Sequence, residues 1–124
     1  MPVSVSRTTG TAATIVWDPS DDPDGRIAQV IESGLAESLT ALGIPAARLP
    51  EVDQFERAKI LRALAALNAQ ITRRVRHMAV VARDQDGMTW GTLASTLTGN
   101  VHSRSTARST YDAGTRQLDA EAGR

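Results

Sequence analysis

Between Ser103 and Ser109 the chain reads Ser-Arg-Ser-Thr-Ala-Arg-Ser, placing two guanidinium groups four residues apart among hydroxyls. On a helix, residues four apart share a face, so Arg104 and Arg108 project side by side with Ser105, Thr106 and Ser109 next to them. Two such cations repel each other unless anions neutralise them. Each guanidinium is a planar fork that matches a phosphate or the O6 and N7 edge of guanine, while short hydroxyls suit phosphates and less selective base edges. The chemistry on offer is recognition of double-stranded DNA. The competing use of Arg108 is an ion pair with Asp112, also four residues on.

These side chains need a scaffold, and the flanking sequence supplies one. Trp90, Leu93, Ala94 and Leu97 recur at offsets of three and four, the signature of one helix face. Thr89 is placed as its N-cap, and Gly99 can adopt the left-handed conformation that ends a helix, with Asn100 tolerating the same region. A second helix follows, in which Ala107, Tyr111, Gly114 and Leu118 form one apolar stripe and leave the Arg and Ser residues outside. The spacing thus predicts two packed helices over about residues 89–118, with His102 and Ser103 at the entry to the second.

The segments TWGTLASTL and SRSTA resemble small helix-turn-helix proteins common in high-GC bacteria, including those like sigma-factor region 4. The typical pattern there is T/S-W-x-x-I/L-A-x-x-L-G-V-S-R-x-A/T-A. The resemblance covers roughly a quarter of the chain. It departs from the pattern at Thr98 to His102, where five residues stand in place of two or three, so the angle between the helices is left open. The resemblance implies that the second helix enters the major groove and makes this chain a sequence-specific DNA-binding protein, a transcriptional regulator.

Upstream, no proline or glycine occurs from Glu51 to Asp86, which predicts one long helix or two separated by an unmarked bend, beginning near Pro50. Within it Leu61, Leu64, Asn68, Ile71, Val75, Met78 and Ala82 keep alternating three-four spacing, a heptad seam. A homodimer is expected along this seam. Asn68 then occupies an a-position, where a polar residue fixes register and partner number; its other reading is the edge of an intramolecular core. Arg73, Arg74 and Arg76 belong to the same helix and are expected to reach the phosphate backbone, which adds affinity without sequence information.

The amino-terminal part carries fewer signals. Residues 1–19 read as a flexible arm, in which Thr14–Trp17 is either a short strand or a tucked extended segment. Ile27, Val30, Ile31, Leu35, Leu39 and Leu42 outline the inner face of a helix closed by Gly43 and Pro45. The expected architecture is therefore all-α: a single helical domain over residues 20–124 with a long central helix and a carboxy-terminal helix-turn-helix.

Net charge is zero, but residues 1–56 carry nine acidic and three basic side chains, against five acidic and eleven basic in residues 57–124. The basic part is the one holding the two packed helices, as phosphate approach requires. The acidic part offers the alternative reading, a helical protein-interaction module of the antitoxin or partition-adaptor kind. A helical assembly protein without nucleic acid is a third. The absence of cysteine excludes disulfides and thiol chemistry, and no run reaches the roughly 20 apolar residues of a membrane span, so a cytoplasmic protein is expected. His77 and His102 have no metal-ligand spacing, and Asp18, Asp21, Asp22 and Asp24 lack the glutamate that closes a calcium loop. No phosphate-binding glycine loop or nucleophile motif occurs, so neither catalysis, metal nor cofactor is expected.

Overall fold

A computed structural model describes residues 3–123; Met1 and Pro2 of the expected arm, and Arg124, lie outside the described residues. The chain is mostly helical, with one two-stranded antiparallel sheet, and its contacts gather into two units that meet in sequence between Leu67 and Asn68. Among the described residues, no helix is long and apolar enough to cross a membrane.

In the first unit β1 (Ser4–Thr9) pairs with β2 (Ala12–Val16), Val5 opposite Ile15 and Ser6 opposite Thr14, with a bulge between Arg7 and Thr9. Sequence periodicity allowed at most one strand here. Every residue of both strands is exposed, so there was no buried face to impose an alternation. A short 3-10 turn over Pro19–Asp21 follows, capped by Asp18, which accepts from Ser20 N–H at 2.8 Å. Asp22 accepts from the N–H groups of Ile27 and Ala28 at 2.9 and 3.0 Å. Partial desolvation opposes it, but those donors prevail and hold the Asp22 carboxyl below the ordinary aspartate range. Asp21 accepts in turn from the Asp18 N–H, so three residues of the acidic loop are engaged in fixing chain turns.

The single helix expected over 27–42 is two, α1 (Arg26–Glu32) and α2 (Leu35–Gly43). Gly34 breaks it, with φ of 128°, and a β-carbon there would stand 2.7 Å from that of Ala63. A side chain would have neither the backbone angle nor the room. The break redirects the apolar stripe: Ala41 and Ser38 are buried, whereas Leu39 and Leu42, expected on the inner face, are 59% and 74% exposed.

The long segment is one uninterrupted helix, α3 (Gln54–Asp84), about 46 Å long at 1.5 Å per residue. It starts later than expected. Pro50 lies in a 3-10 turn over Ala46–Glu51, and Asp53 caps α3 by accepting from the N–H groups of Phe55 and Glu56. Arg57 secures this entry by donating to the carbonyls of Pro50 and Val52 at 2.9 and 2.7 Å.

In the second unit, α4 (Trp90–Thr98) and α5 (Arg104–Glu121) pack with the carboxy-terminal part of α3. Ala79, Leu93, Ala94 and Ala107 form the buried core, covered by Met88, Trp90 and Leu97. The core is built of small residues where helices approach closest: Ala94 and Ala107 are fully buried, and Gly114 lies against the carbonyl of Arg76. Any larger residue at these points would push the helices apart.

Candidate nucleic-acid interface

The turn between α4 and α5 is ordered by local hydrogen bonds. Thr89 caps α4 as its sequence position implies, its hydroxyl accepting from Thr92 N–H at 3.1 Å. Gly99 ends α4 in the left-handed region, φ 77°. The turn is wound onto Asn100, whose side-chain oxygen accepts from His102 N–H at 2.9 Å and whose carbonyl accepts from Ser103 N–H at 3.1 Å. Asn100 therefore shapes the turn, a role that spacing alone did not indicate. Ser103 precedes α5 without making a side-chain cap, and His102 is exposed.

Along α5, Ala107 and Gly114 are buried and Tyr111 and Leu118 half-buried, the stripe expected from spacing. The opposite ridge, Ser105, Ser109, Asp112 and Arg116, is exposed throughout. Thr106 is exposed on one flank of this ridge, with Arg104 and Arg108 on the other, towards α4. Arg116 shares this ridge, and its offset of seven from Ser109 is the sequence signal that places it there.

Arg104 and Arg108 do not extend along α5. Both fold back to the first turn of α4. The Arg104 guanidinium lies over Gly91, its nitrogens 3.5 and 3.6 Å from where a β-carbon would stand. Arg108 lies over the indole ring of Trp90, 5.4 Å from its centroid. Together with Thr89, Thr92 and Val101 these residues surround an open cavity of about 460 Å³. Neither arginine forms an ion pair among the described residues; in particular Arg108 stacks on Trp90 and leaves Asp112.

Trp90 is held from several sides. Arg83 stacks 4.2 Å from the ring centroid while donating to the Met88 carbonyl at 2.8 Å, and Tyr111 meets the indole edge-on at 5.4 Å. The Tyr111 hydroxyl donates to Asp84 at 2.6 Å, and this bond to a carboxylate raises the phenol above its ordinary range. Truncating Trp90 to Ala removes all of these contacts. Because the ring is only half-buried, the loss is expected at the lower end of the range for such changes, about 3 kcal/mol by denaturant unfolding. Unchanged unfolding with lost ligand binding would instead assign Trp90 to recognition alone.

The arginines of α3 do not form one surface. Arg73 is ion-paired with Glu121 at the end of α5, which draws it away from the phosphate role expected for it. Arg76 is half-buried, its carbonyl against Gly114. Arg74 is exposed, but at about 100° per residue it lies about 140° around α3 from the buried Ala79, on the side away from α4 and α5. Of the seam, Ile71, Val75 and Met78 are 54%, 39% and 64% exposed and Asn68 is exposed. In the first unit Leu61 is 68% exposed and Leu64 lines an apolar groove with Leu49, Val52 and Ile60.

Compared with known proteins, the chain matches no family model, no curated protein and no solved structure.

Proposed function

We propose that this protein is a sequence-specific, double-stranded DNA-binding protein that acts as a homodimeric transcriptional regulator, with α4 and α5 as its helix-turn-helix. The observation that carries the reading is the exposed ridge of α5. Over 18 residues, about 27 Å, it offers short hydrogen-bonding side chains, with two arginines along one flank that form no ion pair among the described residues. The major groove, about 12 Å wide, admits such a helix and presents a distinct donor and acceptor pattern for each base pair. Ser105 and Ser109 reach base edges at short range, and Asp112 is an acceptor suited to the amino group of cytosine. In sequence, α5 belongs to the basic part of the chain, while the strongly acidic part, residues 1–56, belongs to other elements.

The test is anisotropy titration of labelled duplexes from the gene's own upstream region, against random duplex, at several salt concentrations. Affinity is expected to fall linearly with salt on a logarithmic scale, with one fragment preferred. Asp112→Ala is expected to relax preference at one base pair by about 1–3 kcal/mol, read from a panel of single-base variants. No duplex binding at low salt would remove the proposal.

A protein-interaction role is the second reading. It is favoured by the first unit, where Phe55 is 83% exposed and the apolar groove of Leu49, Val52, Ile60, Leu61 and Leu64 encloses about 440 Å³. The two roles use different residues and are compatible in one molecule.

A further inference from the structure

We propose that the cavity between Trp90, Gly91, Arg104 and Arg108 clasps one phosphate group of the DNA backbone, so that these two arginines position the duplex and do not read its bases. This inference rests on the DNA-binding reading for the source of the phosphate. The cavity itself rests on the arrangement of the side chains.

Three observations support it. First, the two guanidiniums reach the same cavity from successive turns of α5, and neither is neutralised by a carboxylate among the described residues. Two unpaired cations at one opening are a like-charge arrangement that an anion relieves, and a guanidinium fork matches phosphate oxygens in pairs. Second, Gly91 gives the opening a floor without a side chain, on which the Arg104 guanidinium rests. A β-carbon there would stand 3.2 Å from a Val101 methyl and in ordinary contact, 3.5 Å, with Arg104, and a longer side chain would extend into the opening. Third, Arg108 is stacked on Trp90, and Trp90 is itself held by Arg83 and Tyr111. A stacked guanidinium is pre-oriented, which lowers the entropy lost when it binds a fixed oxygen pair. The hydroxyls of Thr89 and Thr92 also line the opening, although Thr89 is committed to capping α4.

The charged groups around the site favour the same ligand. Arg83 adds a third cation beside Trp90, and Asp84, the neighbouring carboxylate, is engaged by the Tyr111 hydroxyl. Asp112 is exposed on the outer ridge and makes no ion pair with Arg108. With Arg104 and Arg108 drawn back to α4, base recognition falls to Ser105, Ser109 and Asp112.

The experiment uses the full chain with Trp17→Phe, so that Trp90 is the remaining tryptophan and reports on the cavity. Arg104→Ala, Arg108→Ala and the double variant are each titrated with the preferred duplex, a random duplex and inorganic phosphate at constant ionic strength, with circular dichroism confirming the fold. Each single variant is expected to weaken both duplexes by the same factor. The double variant should lose little more than either single one, because both side chains hold one phosphate. Its salt slope should fall by about one unit, which makes the loss of affinity from 50 to 200 mM salt about threefold shallower. Millimolar phosphate should change Trp90 emission in the parent protein and not in the double variant.

Losses confined to the preferred duplex would make these arginines base readers and overturn the proposal, as would duplex and phosphate binding that ignore both substitutions. Phosphate binding that needs both arginines, in a protein that binds no duplex, would keep the cavity as a phosphate site. It would also remove both the DNA backbone as the source and the DNA-binding reading.

Discussion

Gly114→Ala is expected to destabilise the second unit by about 2 kcal/mol, although alanine is the better helix former. The new β-carbon would stand 2.4 Å from the carbonyl oxygen of Arg76 and 2.8 Å from a methyl of Val80. The first of these is main chain inside α3, which cannot rotate aside as a side chain does. Overpacking of this kind costs about 1–3 kcal/mol, and the upper end applies where backbone must move; the gain in helix propensity returns about 1 kcal/mol. Gly91→Ala is the internal comparison. There the nearest atoms are a Val101 methyl at 3.2 Å and the flexible end of Arg104, both able to give way, so the same gain in helix propensity should offset the adjustment and stability should fall by no more than about 0.5 kcal/mol. Denaturant unfolding of the two variants side by side decides the matter. Equal stability of Gly114→Ala and the parent would show that α3 and α5 do not cross at this point.

The contrast between these two glycines shows what was legible in the sequence. The helices α4 and α5 were readable because local rules agree there: three-four spacing, a Thr cap and a terminating glycine all point one way. The absence of breakers over Glu51–Asp86 allowed one long helix or two with a bend between them, and α3 is one. The paired strands were not readable, because an exposed hairpin buries no face and so leaves no periodic trace. Gly34 was hidden for another reason: a single glycine inside an apolar pattern is tolerated in many helices, and only the close approach of Ala63 makes it a break. The site departed furthest from expectation. Arg73 pairs with Glu121 and Arg108 stacks on Trp90, partners that lie far off in sequence. Side-chain type and spacing singled out a set of arginines; only tertiary distance decided which of them have partners within the chain.

Ile71→Asp is expected to convert the protein from a dimer to a monomer at micromolar concentration, because the seam of α3 is apolar and exposed within one chain. In the second unit Ile71, Val75, Met78 and Ala82 fall within about 60° of one another around the helix. Ala79 and Val80 turn instead towards α4 and α5 and are buried. One helix thus serves an internal core on one side and leaves an aliphatic stripe on another. Burying a whole isoleucine side chain contributes about 1.5–3 kcal/mol; Ile71 has about half of its surface left to bury, and a symmetric dimer counts the substitution twice, so its loss weakens association by about 1.5–3 kcal/mol, or about 10- to 10²-fold. Aspartate adds the cost of desolvating a charge. Asn68→Leu should act in the opposite direction, strengthening association while loosening register or partner number, as replacement of a polar a-position does in coiled coils. Sedimentation equilibrium reads both variants. The duplex titration then supplies an independent arm: a dimer spans two half-sites about one helical turn apart, so Ile71→Asp should lose affinity for a paired site and keep that for a single half-site. A parent protein that sediments as a monomer at every concentration would assign the stripe to some other partner and leave α5 to bind one half-site alone.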